Sequence, residues 1–187
     1  MVRASNLGKR FNRAWVFRNV EFEVAKGECM VVTGSNGSGK STLLRILAGL
    51  ESKSEGECTA PNQIGFLAPD LNLYPTMTAV EHLQFAADLK GLHPDIPQIL
   101  EGVGLRNVDR IPSASYSTGM RTRLKLAIAT LANPDLLLLD EPGANLDDEG
   151  KLALQNAITN QLQRGSVILA TNDERELKHA QLELRLA

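Results

Sequence analysis

The chain has 187 residues, 43% hydrophobic and 22% charged, enough to bury a core and far from the composition of a disordered chain. Twenty basic against 22 acidic side chains leave a net charge of −2, which excludes the broad basic surface that nucleic acid or anionic lipid selects. Charge-free stretches such as Cys58 to Pro69 run to only about a dozen residues and carry prolines, whereas a spanning helix needs roughly 20 apolar ones, so the chain does not cross a bilayer alone.

The first ten residues lack the apolar run of a secretory signal. Cys29 and Cys58 are too far apart for a CxxC motif and read as small buried hydrophobes, so the expected setting is the cytosol. Val20, Phe22 and Val24 alternate ahead of Lys26-Gly27, predicting a half-buried antiparallel strand that ends in a turn. Cys29-Met-Val-Val-Thr33, Leu136-Leu-Leu-Leu-Asp140 and Ser166-Val-Ile-Leu-Ala-Thr171 are near-continuous apolar runs, as required of parallel strands covered on both faces. Between Asp70 and Pro134 the periodicity turns helical. Thr78-Ala-Val-Glu81 has the form of a capping box, opening a helix that ends near Gly91. Leu124, Ala127, Ile128 and Leu131 put a buried stripe on a second helix, from about Gly119 to Ala132, which Asn133-Pro134 stops. After Thr171 the pattern predicts one short helical segment and a strand over Gln181 to Leu186, with no regulatory domain. The fold class is α/β, one domain over 1–187: a largely parallel sheet, an N-terminal antiparallel β part and an inserted helical lobe at about 70–134.

Gly34-Ser35-Asn36-Gly37-Ser38-Gly39-Lys40-Ser41 fits G-x-x-x-x-G-K-[ST] between a predicted strand and a helix over Thr42 to Ala48, the setting that makes this motif a phosphate loop and the core a P-loop NTPase. Glycines let the loop curl so that successive N–H groups face a triphosphate, aided by the positive end of the helix dipole. Lys40 then neutralises the β and γ phosphates, Thr42 opens the helix, and the Ser41 hydroxyl is a suitable oxygen ligand for Mg²⁺. Asp140 and Glu141 end an otherwise uncharged strand. In phosphate-loop enzymes the first acid helps hold the Mg²⁺ shell, and Glu141 is placed to take a proton from an attacking water.

These residues, with Tyr116-Ser-Thr-Gly-Met120 ahead of an amphipathic helix and Asn145-Leu-Asp147 after the acidic strand end, resemble the ATP-binding subunits of ABC transporters from about Leu7 to Thr171. Tyr116 to Met120 is similar to that family's signature, keeping Ser117 and Gly119; Leu136 to Pro142 resembles its Walker B segment, and Asn145 to Asp147 its D-loop. The resemblance implies ATP and Mg²⁺ as cofactors and a head-to-tail dimer in which the phosphate loop of one subunit and the signature of a second sandwich the nucleotide. It also implies a separate transmembrane permease that holds the chain at the inner face of the cell membrane. Ser117 and the N–H groups near Gly119 open a helix, an anion site on physical grounds as well. Asp147 joins the nucleotide site through the D-loop. Phe11 is the candidate to stack on adenine, with Trp15 second. The short length and S-x-G-M signature are similar to the haem-exporter subunits of cytochrome c maturation.

Two positions depart from the family pattern. The expected Q-loop glutamine falls on Pro69, which has no side-chain oxygen, or on Asp70, which is then a candidate ligand of Mg²⁺. Asn172 stands where the family has histidine: it can donate to a γ-phosphate oxygen but cannot become cationic. Arg121, Arg123 and Lys125 could reach nucleotide or a partner but read first as a solvated polar face, and Leu71, Leu73, Tyr74 and Phe85 read either as apolar contacts for the permease or as ordinary core packing. The leading expectation is an ATPase that drives transport. The alternative is a nucleotide-gated assembly or regulatory module with little hydrolysis.

Overall fold

The computed structural model describes residues 1–108, 110–173, 176, 178 and 180–187. A five-stranded parallel sheet runs in the order β5-β6-β7-β3-β8, formed by β3 (Cys29–Thr33), β5 (Ile64–Leu67), β6 (Leu136–Asp140), β7 (Ser166–Ala170) and β8 (Leu182–Arg185). A three-stranded antiparallel sheet, β2-β1-β4, comprises β1 (Val2–Phe11), β2 (Ala14–Val24) and β4 (Glu55–Thr59). The helices are α1 (Lys40–Leu47), α2 (Ala79–Asp88), α3 (Ile96–Gly102), α4 (Thr118–Thr130) and α5 (Asp148–Leu162), with a 3₁₀ turn at Ser113–Ser115. Thus α2, α3 and α4 lie in the chain between β5 and β6, where the helical insertion was expected.

The period of two along each central strand explains the layering. Leu137, Leu139, Val167, Leu169, Cys29 and Val31 join a core with α2 to α5. Their neighbours Leu136, Leu138, Ile168, Ala170, Met30 and Val32 join a second core with α1 and the antiparallel sheet. Each strand feeds both cores, so no position can be polar until the strand ends. Burial pushes the Cys29 thiol up to about 12, which makes it an inert core residue; Cys58 is only half-buried.

Local chemistry sets the helix starts. Thr78 Oγ1 accepts from the Glu81 N–H at 3.2 Å while Glu81 Oε2 accepts from the Thr78 N–H at 2.7 Å, completing the capping box of α2. Asp95 caps α3, Ser117 caps α4 and Asp147 caps α5. Helix α1 begins at Lys40, two residues before the predicted start, because left-handed Gly39 serves as its cap. On α4, Leu124, Ala127 and Leu131 are buried as predicted, while Ile128 is half-buried and Leu126 takes the interior position.

Three elements had no clear sequence signal. In β1, Lys9 points inward to Glu51 and the backbone of Ser52, and the register shifts at three places. Strand β4 is Glu-Gly-Glu-Cys-Thr, a mostly polar edge paired only to β1. Helix α5 leaves Leu152 exposed and buries Gln161, whose amide donates to Pro134 O at 2.7 Å. The short helix expected between Thr171 and Gln181 rests on residues outside the described set.

Leu138 is fully buried and Leu152 is not. Leu138→Ala is therefore expected to lower the unfolding free energy by about 3 kcal/mol and Leu152→Ala by less than about 0.5 kcal/mol, read as urea midpoints at constant slope.

Candidate functional site

The site forms where the parallel strands end. Between β3 and α1, Gly34 and Gly39 adopt φ of +149° and +98°. A Cβ on Gly39 would sit 2.5 Å from Val16 Cγ1 and 2.8 Å from Phe17 Cδ1, and one on Gly34 would meet Leu186 O and Ser38 Oγ. The loop is thus wedged between the start of β2 and the end of β8, and only glycine fits at these two points. Ser35, Asn36 and Gly37 form its exposed crest. Lys40 is buried and its ammonium donates to the carbonyls of Gly34 at 2.7 Å and Ser35 at 3.2 Å. A cation held on two neutral carbonyls has an obvious exchange partner in a phosphate. Thr42 follows Ser41 on the first turn of α1.

At the end of β6, Asp140 is buried and its Oδ1 has no hydrogen-bond partner among the described residues, as is also true of the buried Ser38 Oγ. Burial raises the Asp140 carboxyl above its ordinary range, the Ser41 hydroxyl pulls it back by hydrogen bonding, and the charges of Glu141 and Asp70 raise it again. Among the described residues no group of three or more His, Cys, Asp or Glu side chains could hold a metal ion. What is present is one orphaned carboxylate oxygen on a carboxyl that meets a serine hydroxyl. That donor set fits Mg²⁺, which binds through one or two carboxylates together with substrate phosphates. Glu141 lies at φ +47°, its N–H bonded to Ala170 O at 2.8 Å. Backbone held in this region is stored at functional sites when the surroundings over-determine it. Its exposed side chain opens on a cleft of about 500 Å³ between the segment after β5 and the first turns of α4.

Asn172, after β7, donates through Nδ2 to Asn36 Oδ1 at 3.3 Å, joining the histidine position to the phosphate loop across 136 residues. No spacing rule signals this contact. Asp70, after β5, pairs with Arg45 on α1. Phe11 and Trp15 flank the β1–β2 turn and are both partly exposed, next to the Val16–Phe17 pair that packs on Gly39. Lys9 Nζ lies 4.6 Å from the Phe11 ring, while Trp15 has Arg18 at 4.1 Å and Arg10 at 5.5 Å.

At the start of α4, Ser117 Oγ accepts from the Met120 N–H at 3.2 Å, and a Cβ on Gly119 would lie 2.8 Å from Asn145 O. The signature and D-loop therefore pack backbone to backbone. Asp147 accepts from the Gly150 N–H at 2.9 Å and lies 3.7 Å from Arg123. The reading of Arg121, Arg123 and Lys125 as a solvated face holds for exposed Arg121 and is corrected for buried Arg123 and half-buried Lys125. Arg123 is buried and donates to Gly104 O at 2.8 Å, Arg121 donates to Ala114 O at 2.9 Å, and Lys125 donates to Pro69 O at 2.7 Å. Basic side chains at the start of a helix have free carbonyls of neighbouring turns within reach, which sequence periodicity does not reveal. Leu71, Tyr74 and Phe85 are exposed and Leu73 packs on the core; the Tyr74 and Phe85 rings meet edge-on at 6.0 Å. Buried His82 accepts from the Tyr74 N–H at 2.9 Å and so fixes this loop. Among the described residues no helix is long and apolar enough to cross a membrane.

Comparison with known proteins agrees with this geometry. A family model described as ABC transporter matches residues 17–144. The uncharacterized ABC transporter ATP-binding protein YybJ of Bacillus subtilis (strain 168) is 31% identical, covering 94% of this chain and 87% of its own. The cytochrome c biogenesis ATP-binding export protein CcmA of Bradyrhizobium diazoefficiens is 36% identical, covering 87% of this chain and 90% of its own. Among solved structures, the ATP binding subunit of an ABC transporter superposes with a TM-score of 0.91 at 25% identity, over 99% of this chain and 85% of that one. The ATP-binding cassette MJ0796, in a dimeric post-hydrolysis state with ADP and Pi, shares the fold with a TM-score of 0.90 at 23% identity, over 100% and 94% of the two chains. With its phosphate loop, acidic strand end and signature helix in place, the chain belongs to the ABC transporter family, as an ATP-binding subunit with ATPase activity.

Proposed function

We propose that the chain hydrolyses MgATP in a head-to-tail dimer of two copies and transmits closure of that dimer to a transmembrane permease at the cytoplasmic face. The observation that carries this reading is a Lys40 ammonium parked on its own loop carbonyls together with an orphaned Asp140 oxygen on a carboxyl that meets the hydroxyl of Ser41, the residue after Lys40. When a triphosphate enters, Lys40 can exchange those carbonyls for phosphate oxygens, and the loop N–H groups close around them. Ser41 and Asp140 would hold Mg²⁺, while Asp70, the other candidate, is engaged by Arg45; the ion would supply neutralisation of charge developing on the phosphates. Glu141 accepts the proton of the attacking water, and Asn172 donates to the γ-phosphate from its position over Asn36.

Ser117, the N–H groups at Gly119, and Asp147 complete the site of the second copy. Phe11 lies on the hairpin beside the phosphate loop, which suits an adenine-stacking ring. The exposed Leu71, Tyr74 and Phe85 are the proposed contact with the permease. CcmA is named an export protein of cytochrome c biogenesis, whereas SrtF of Streptococcus pyogenes, 31% identical, is named a lantibiotic transport protein; the likeness supports a transport ATPase common to both names.

Steady-state turnover tests the assignments. Glu141→Gln is expected to lower kcat at least about 100-fold while ATP binding persists. A wild type no faster than this variant would leave the nucleotide-gated assembly module as the better reading. Asn172→Ala is expected to lower kcat by about tenfold, less than the loss of a full transition-state donor; unchanged turnover would reduce Asn172 to a local structural role.

The Asp140 carboxyl titrates above its ordinary range in the folded chain, chiefly through burial. The folded state therefore keeps this proton longer than the unfolded state, and stability is lost as pH rises through that window. Nucleotide-free Asp140→Asn should melt above the wild type at pH 7, with the gap closing as pH falls below the ordinary carboxylate range, and should lose Mg²⁺-dependent turnover. Equal melting at pH 7 contradicts the burial penalty.

A further inference from the structure

Pro69, which with Asp70 is one of the two residues that fall where the resemblance expects a glutamine, offers only a backbone carbonyl. That carbonyl is taken: Lys125 Nζ on α4 donates to Pro69 O at 2.7 Å and to Ala68 O at 3.2 Å. The next residue, Asp70, pairs with Arg45, which lies on α1 one turn beyond Ser41. The short segment between β5 and α2 is therefore gripped from two sides by cations on two different helices. One of those helices carries the phosphate-loop lysine and serine, and the other begins at the signature. We infer that Lys125 and Arg45 hold the Ala68–Asp70 segment as a strap between these two helices, which makes Lys125 a positioning residue for hydrolysis.

The two grips differ in strength. Arg45 and Asp70 are both substantially exposed, and an exposed ion pair contributes little. The grip of Lys125 consists of charge-assisted bonds to carbonyls in a partly buried place, which are stronger. Burial lowers the Lys125 pKa while the Asp70 charge raises it, so the carboxylate also helps keep the ammonium charged. The strap borders the cleft whose floor carries Asp140 and Glu141, and Asp70 and Arg45 both act electrostatically on Asp140. A shift of the strap therefore changes the setting of the hydrolytic groups without touching the phosphate loop. In this chain a lysine on α4, gripping main-chain oxygens, fixes the segment where the resemblance expects a glutamine side chain.

The kinetic part of this inference rests on the hydrolytic reading, whereas its structural part does not, and two measurements on the full chain separate them. The first is hydrogen exchange of nucleotide-free protein in peptides covering 66–75 and 34–42. Lys125→Met is expected to speed exchange in 66–75 by about tenfold and leave 34–42 unchanged. The second is ATPase kinetics: Lys125→Met should lower kcat by about tenfold with KM for ATP within about twofold of wild type. Lys125→Arg keeps the charge and should recover most of both effects, which guards against a general folding defect. Asp70→Asn should behave as a milder Lys125→Met with an unchanged Mg²⁺ half-saturation. Unchanged exchange in Lys125→Met overturns the strap whatever the kinetics. Faster exchange with wild-type kcat overturns the positioning role, and a Mg²⁺ half-saturation raised about tenfold or more in Asp70→Asn makes Asp70 a metal ligand. A wild type with no turnover above Glu141→Gln refutes the hydrolytic reading and leaves exchange to decide the strap.

Discussion

Everything at the site follows from strands that all run the same way. A parallel sheet places the carboxyl ends of its strands along one edge, and residues far apart in sequence meet there. In this chain β5 ends before Asp70, β6 ends at Asp140 and Glu141, β7 ends before Asn172, and β3 ends at the phosphate loop. The outer strand β8 closes against Gly34. Both faces of β3, β6 and β7 are covered by separate cores, so the interiors of these strands carry no charge, and the carboxylates of β6 appear only at that edge.

The same burial gives the edge its chemistry. Asp140 closes a strand that is buried throughout, and its carboxyl carries a desolvation penalty with one oxygen unpaired. Lys40 is buried as well, and among the described residues its charge is met by the carbonyl dipoles of Gly34 and Ser35. An anion and a divalent cation arriving together relieve both, which explains why folding tolerates such a site: the unfavourable burial in the empty chain is offset on binding. Around this centre the protein holds its loops with main-chain contacts. Gly119 lies against Asn145, Asn172 reaches Asn36, and Lys125 reaches Pro69.

Legibility in the sequence followed the same physics. Cys29–Thr33, Leu136–Asp140 and Ser166–Ala170 were readable because two-sided burial leaves an unbroken apolar run, and the phosphate loop because glycine spacing is demanded by geometry. The capping box at Thr78 was readable because it is local. Strand β1 was not, since Lys9 faces inward and register shifts break the alternation. Strand β4 is polar and gains its place only by pairing to β1. Helix α5 buries Gln161 and exposes Leu152, against the usual preference of each side chain. Among the candidate site residues, the loop and strand-end positions came from motifs. The partners of Asn172, Asp70 and Lys125 came only from the folded chain, because each contact joins residues that no spacing relates.

The central claim is that the strand ends form a MgATP site in which Lys40 and Asp140 act through phosphate and metal. Mn²⁺, a paramagnetic stand-in for Mg²⁺, reports on this directly by electron paramagnetic resonance of the Mn²⁺–ATP complex. The account predicts phosphorus hyperfine couplings in the bound wild-type complex, and Mn²⁺–ATP affinity weakened severalfold or more in both Lys40→Met and Asp140→Asn. Wild-type affinity in both variants would contradict it.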